Sequence, residues 1–139
     1  MNMAAATDRD RPLALVTGGV RRLGAGIAAR LHEAGYALAL VSHGDHEPDP
    51  ALESALADGA ARIFHHDLSD PAGVDALFAD VAAQCGRAPV VLVNNASMFG
   101  QDDWRGMTAD TLDAHFRLNL FSPLLLARAL AAAVGEGGG

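Results

Sequence analysis

Short, almost continuous apolar runs, each followed by a stretch of helical periodicity, constrain this chain more than any other feature. Leu13 to Thr17 is the first run; it meets Gly18-Gly19, and a helical pattern through Ile27, Leu31 and Ala34 follows until Gly35 ends it. Tyr36 to Ser42 is the second, with a polar loop from Gly44 to Pro50 and a weak helix over Ala51 to Ala57 behind it. Arg62 to His66 forms a third strand. Ser69-Asp70-Pro71 then reads as an N-cap with proline in the first turn of a helix reaching Cys85, which Gly86 closes. Pro89 to Val93 is the most strand-like run of all, and Asn94 to Arg105 is polar and glycine-punctuated. Thr108 to Val134 reads as one long helix that Pro123 should kink.

Strands that alternate with helices and are apolar throughout imply an α/β protein with a parallel sheet covered on both faces. Right-handed crossovers place four strands in the order 3-2-1-4. Ligands of such sheets lie beyond the carboxyl ends of the strands. Gly18 to Gly26, Ser42 to His46, Asp67-Leu68 and Asn94 to Phe99 should therefore converge. Residues 1–12 are expected to be a flexible tail, 13–134 a single domain, and 135–139 a glycine-rich end.

Half of the 139 residues are hydrophobic, enough for one core, and a formal charge of −7 spread without blocks leaves no basic stripe for nucleic acid or a membrane surface. A small soluble partner is the expectation. One cysteine, Cys85, cannot form an internal disulfide, and no signal-peptide pattern is visible, so a cytoplasmic location is expected. No apolar run is expected to reach the roughly 20 residues that span a bilayer. All ten basic residues are arginine, so any mechanism that requires a lysine of this chain is excluded. Histidines 43, 46, 65, 66 and 115 do not make a metal site, because neighbours in a strand face opposite ways and no zinc spacing is completed.

The segment Thr17-Gly18-Gly19-Val20-Arg21-Arg22-Leu23-Gly24-Ala25-Gly26 joins a strand to a helix, a context in which backbone N–H groups and a helix N-terminus can face a pyrophosphate. Here the chain resembles the short-chain dehydrogenase/reductase family, whose first turn reads Thr-Gly-x-x-x-Gly-x-Gly and whose fourth strand ends Asn-Asn-Ala-Gly. Both marks are present in variant form: Arg22 stands where most of the family has glycine, and Asn94-Asn95-Ala96 is followed by Ser97. The two departures together resemble the pteridine reductase and dihydromonapterin reductase branch. The resemblance implies a Rossmann-type doubly wound fold, incomplete on its C-terminal side, and NAD(P)H-dependent hydride transfer, to a pteridine in that branch.

By the same resemblance Thr17, Gly18, Leu23 and Gly24 shape the cofactor turn, and Arg21 and Arg22 hold cofactor phosphates, which planar guanidinium groups suit; a solvated pair at a helix start is the alternative. Val41-Ser42-His43 carries no carboxylate for ribose hydroxyls, so NADP(H) is favoured over NAD(H), although an anionic Asp45 near a 2′-phosphate would be unhelpful. Asp67 and Leu68 match the pair that flanks the adenine, helix capping being the alternative for Asp67. Asn94 and Ala96 line the cleft, with Asn94 also tying neighbouring strands, and Asn95 is assigned a structural role. Ser97 and Phe99 match residues that contact cofactor and stack on the pterin; Phe99 as a core ring is the alternative. Asn119 matches the asparagine that bends a helix and holds a water of the proton relay.

Family members protonate their substrate with a tyrosine assisted by a lysine four residues later, and this chain has neither in place: Tyr36, its only tyrosine, opens the second strand. The sequence therefore resembles a truncated or split form, inactive by itself. Leu118, Phe121, Leu125 and Leu126 are expected to lie exposed on the last helix, promoting self-association. The alternative is a non-catalytic nucleotide-binding or partner-binding fragment.

Overall fold

The computed structural model describes residues 8–100 and 103–137. Its elements run β1 (Leu13–Thr17), α1 (Arg22–Glu33), β2 (Ala37–Ser42), α2 (Glu53–Ala57), β3 (Ala61–His65), α3 (Val74–Cys85), β4 (Val91–Asn94), α4 (Ala109–Phe116) and α5 (Ser122–Gly137). The four strands are parallel in the order β3-β2-β1-β4, as the alternation of strands and helices predicts.

Successive residues of a strand face opposite ways, and the two central strands obey this with apolar side chains on both faces. Leu13 and Leu15 of β1, with Ala37, Ala39 and Val41 of β2, pack under α3 and α5 against Val74, Leu77, Phe78, Val81 and Leu126. Ala14, Val16, Leu38 and Leu40 point to the other face, against Ala25 and Ala28 of α1 and Leu52 and Ala55 near α2. Every residue of β1 and β2 is buried, whereas β3 and β4 are the less enclosed edges. Small residues on α1 let its backbone lie close to the sheet, which is why so alanine-rich a chain can still form a core.

Several expectations shift by a residue or two. The fourth strand begins at Val91, because Pro89 has no N–H to pair, and the Val90 N–H donates to the Leu13 carbonyl as a connecting bond. Ser69-Asp70-Pro71 does not cap a helix directly. A 3₁₀ turn over Pro71–Gly73 comes first and the Asp70 side chain makes no capping bond, while Gly86 closes α3 in the left-handed region with φ 70°. A 3₁₀ turn over Pro50–Leu52, capped by the Asp49 carboxylate, likewise precedes α2. Residues 8–12 are not a loose tail: Arg87 donates to the Asp8 carbonyl at 2.7 Å and to the Arg11 carbonyl at 2.8 Å, and the Pro12 carbonyl accepts from Ala37. Met1 to Thr7 of that expected tail lie outside the described residues, as do Gly138 and Gly139 of the expected glycine-rich end, whose first part continues α5.

The long C-terminal helix departs most from expectation. It passes from α4 to α5 through a π-helical stretch at Arg117–Phe121. Pro123 cannot donate to the Asn119 carbonyl four residues back, and the wider turn in front of it accommodates the missing donor: Ser122 N–H reaches back to Arg117. Leu126 is fully buried, and Leu118 and Leu125 pack on the same core, so only Phe121 of the residues expected to be exposed is so. The uncovered side instead carries Phe116, Leu120, Phe121 and Leu124, with the Phe116 and Phe121 rings stacked 6.4 Å apart. The span Ala109–Gly135 is, by length and composition, apolar enough to cross a membrane, which corrects the expectation that no such run exists. Asp110, Asp113 and Arg117 gather at its start, leaving Arg128 as the one charged residue from 118 to 135, and part of its apolar surface is used against the sheet.

Leu126→Ala is expected to lower the unfolding free energy by about 2–5 kcal/mol, as in other fully buried sites, whereas Leu124→Ala should change it by less than about 0.5 kcal/mol. Urea denaturation of the two variants side by side checks the assignment of the buried face.

Candidate functional site

The carboxyl ends of β1, β2 and β4 meet at one edge of the sheet, with Thr17 level with both Val41 and Asn94. At that edge the Thr17 hydroxyl accepts from the backbone N–H groups of Asn95 at 3.1 Å and Ala96 at 3.0 Å, and donates to the Val93 carbonyl at 3.4 Å. In return the Asn95 amide nitrogen donates to the carbonyls of Thr17 and Gly18, each at 3.1 Å. Asn95 therefore ties β1 to β4. Asn94, expected to tie neighbouring strands, instead donates to the Pro123 carbonyl at the start of α5.

Two glycines bring α1 onto this clip. A Cβ on Gly24 would lie 2.0 Å from the Gly18 carbonyl oxygen and 2.6 Å from the Asn95 amide nitrogen, so no side chain fits there. Gly18 itself adopts φ 61°, where other residues are strained, and its N–H is held by the Val41 carbonyl at 2.9 Å. Arg22 also sits in the left-handed region, with φ 53°. That is the backbone shape for which glycine is the usual solution, and here an arginine bears the strain.

Between these segments opens a groove of about 500 Å³. Gly18, Arg21, Arg22, Leu23 and Gly24 form one wall, Ser42 and His43 another, and Leu68, Ala96 and Ser97 close it. Val20, Val41, His46, His66, Asn95 and Leu118 also line it. Of these additional residues, Val20, Val41 and His46 belong to the quoted motifs and converging segments and Asn95 has an expected structural role, whereas His66 has no signal beyond its place before Asp67 and Leu118 is expected on the exposed helix face. Five of the expected residues stand apart from the lining, among them Thr17, held within the clip, and Asn94, bonded to Pro123. Asp67 lies beside it, its carboxylate 3.9 Å from the His43 ring. Phe99, 92% exposed, is outside the groove and is not a core ring. Asn119 uses both ends of its amide on the backbone of Met98, accepting from its N–H at 2.8 Å and donating to its carbonyl at 3.0 Å.

The charge on this lining is one-sided. In a chain of net charge −7, the groove is faced by two arginines and three histidines and by no carboxylate. Neither the Arg21 nor the Arg22 side chain has a hydrogen-bonded or ionic partner among the described residues, and the first turn of α1 has neither a side-chain cap nor an acidic residue. Cationic residues at a helix N-terminus oppose its dipole, so such an arrangement is suited to an anion that satisfies both. Asp67 does not cap a helix: its carboxylate accepts from the N–H and hydroxyl of Ser69, and the hydroxyl first, then the N–H, hold its pKa below the usual carboxylate value. The Ser42 hydroxyl donates to the Gly44 carbonyl and shapes the bend after β2. The Nε2 atom of His66 is buried without a hydrogen-bond partner. Among the described residues no cluster of metal-binding side chains occurs.

Another cavity, of about 250 Å³, opens at the opposite edge of the sheet beside Cys85, whose thiol burial pushes up. Its Arg62 and Arg87 are committed to backbone carbonyls of Gln84, Cys85 and Asp8. That end is a structural brace.

The short chain dehydrogenase family profile matches residues 12–139, and the chain belongs to that family. Galactitol 2-dehydrogenase of Agrobacterium fabrum is 33% identical over 119 residues, covering 85% of this chain and 45% of the relative. A metagenomic short-chain oxidoreductase solved in complex with NADP superposes with a TM-score of 0.79 at 32% identity, over 91% of this chain and 57% of that one. A 3-oxoacyl-[acyl-carrier protein] reductase from Brucella melitensis, solved with NAD, gives a TM-score of 0.77 at 27% identity over 93% and 51%. The chain spans about half the length of the curated relatives it matches.

Gly24→Ala is expected to cost about 1–3 kcal/mol or more of stability through overpacking against backbone. Arg22→Gly should leave stability within about 1 kcal/mol of the parent, because relief of left-handed strain and added freedom of the unfolded chain oppose each other. Paired denaturation curves distinguish the two cases.

Proposed function

We propose that this chain is the cofactor-binding half of an NAD(P)H-dependent oxidoreductase, and that it binds NADP(H) in preference to NAD(H). The observation that carries this is the groove lined by two arginines and three histidines with no carboxylate, in a protein that is otherwise acidic. The pyrophosphate would lie on the turn Gly18 to Gly24 with Arg21 and Arg22 beside it, and the adenosine end along Ser42, His43, Asp67 and Leu68. Asn94, Ala96 and Ser97 would flank the remainder. When bound, such a cofactor supplies or accepts hydride; this chain's residues hold and orient it.

A pteridine is the substrate we infer for the complete enzyme, from Arg22 and Ser97 in the two motifs and from Phe99 at the exposed mouth; Asn119 joins the proton relay in the same reading. Against the pteridine stand the names of similar proteins, which act on polyols and on other carbonyl compounds. A second reading, a nucleotide-binding or partner-binding module without catalysis, draws on a specific observation: the chain has no lysine, and Tyr36 precedes β2 at the edge opposite the groove. We place either form in the cytoplasm. Self-association through Phe116, Leu120, Phe121 and Leu124 belongs to the same proposal.

NADPH is expected to bind the purified chain, followed by its fluorescence, and Arg22→Gly should weaken binding about tenfold by removing a charge-assisted contact. Turnover with NADPH and dihydrobiopterin should be undetectable with this chain alone; family-like rates would refute the inactive assignment. In sedimentation velocity the chain should run larger than a monomer, and Phe121→Ser with Leu124→Ser should shift it toward one.

A further inference from the structure

The ends of β2 and β3 lie side by side, with Ser42 opposite His65. Past this point two imidazole–carboxylate pairs straddle the rim of the groove: His65 Nε2 is 3.8 Å from Asp45 Oδ1, and His43 Nε2 is 3.9 Å from Asp67 Oδ2. The two pairs are not equivalent. Asp67 is already satisfied by Ser69, but Asp45 is fully exposed and has no other partner among the described residues. His65 is therefore its one paired counter-charge among the described residues.

We infer that His65 is a specificity-determining residue: by neutralising Asp45 it lets this corner accept a 2′-phosphate, and the preference for NADPH over NADH is greatest in mildly acidic solution and weaker above neutrality. This rests on the reading that the adenosine end of the cofactor lies against the ends of β2 and β3. A phosphate brought there meets Asp45. When the imidazole is neutral, Asp45 is a bare anion that repels the phosphate; when it is protonated, the two form an ion pair with no net charge. Other charged or titratable groups on the segments around this corner are His43, His46 and Glu47 after β2, His66 and Asp70 after β3, and Arg21 and Arg22 at the start of α1. Carboxylates and guanidinium groups keep their charge between about pH 6 and 8, whereas imidazoles do not. The sign follows: lower pH adds positive charge here and favours the phosphorylated dinucleotide.

Dissociation constants of NADPH and NADH are to be measured at about pH 6 and about pH 8 for the parent chain, His65→Gln and Asp45→Asn. Between those values the parent's NADPH-over-NADH ratio should fall about fivefold more than that of His65→Gln, the scale of one exposed charge pair. The second ionisation of the phosphate, near about pH 6, is common to both proteins and cancels in that comparison. Asp45→Asn should raise the ratio at about pH 8 by a similar factor. Equal pH dependence in the parent and His65→Gln, or an unchanged ratio in Asp45→Asn, overturns the inference while leaving NADPH binding intact. If neither nucleotide binds at either pH, the cofactor reading itself fails and this one with it.

Discussion

The hydroxyl of Thr17 and the amide of Asn95 hold together the place where everything of interest in this chain occurs. Parallel strands leave their last carbonyl and N–H groups unpaired at the sheet edge, and an unsatisfied buried group there would cost about 1–3 kcal/mol. The Thr17 side chain takes two backbone N–H groups of the β4 turn, and Asn95 takes two carbonyls of the β1 turn. Two strands that are neighbours only in space are thereby fixed at their ends. The groove is the gap that results once α1, lacking side chains at Gly24, settles against that clip.

Within this frame, charge gives the groove its chemical character. Burial and close packing specify a gap, but not what fills it; many tight strand-to-helix turns would look alike in outline. The distinction lies in where the arginines and histidines stand relative to the carboxylates. Acidic residues are plentiful on the surface, yet those nearest the groove lie just outside its lining, engaged with Ser69 or His65. Arg22 accepts an unfavourable backbone conformation at the same place, a local strain that makes sense where a side chain is needed and glycine would be easier.

Much of this was legible in the residues themselves. Continuous apolar runs have one consistent solution, a sheet buried on both faces, and strand order follows from handedness; both agree with the structure. The converging segments were also legible, because the carboxyl ends of parallel strands must face the same way. What could not be read was the division of labour between adjacent asparagines: which of Asn94 and Asn95 spans the strands depends on the last half-turn of β4. Nor could periodicity show that Leu126 is buried and Leu124 is not. A π-helical stretch rotates everything after it relative to a regular helix, so a pattern counted through Asn119 loses its phase. Of the groove histidines, His43 and His46 fall in a segment expected to converge, but His66 lies one residue before the expected Asp67-Leu68 and joins them only because two strand ends come into register.

The link between Asn119 and Met98 has a mechanical corollary. Both backbone groups of Met98 are bonded to the helix, so the stretch that bears Ser97 and Phe99 is moored at one end to the sheet and in its middle to the π-helical turn. The stacked Phe116 and Phe121 rings sit on that same turn, facing outward. The outer aromatic face of the helix and the backbone at the mouth of the groove are thus joined through one side chain, that of Asn119.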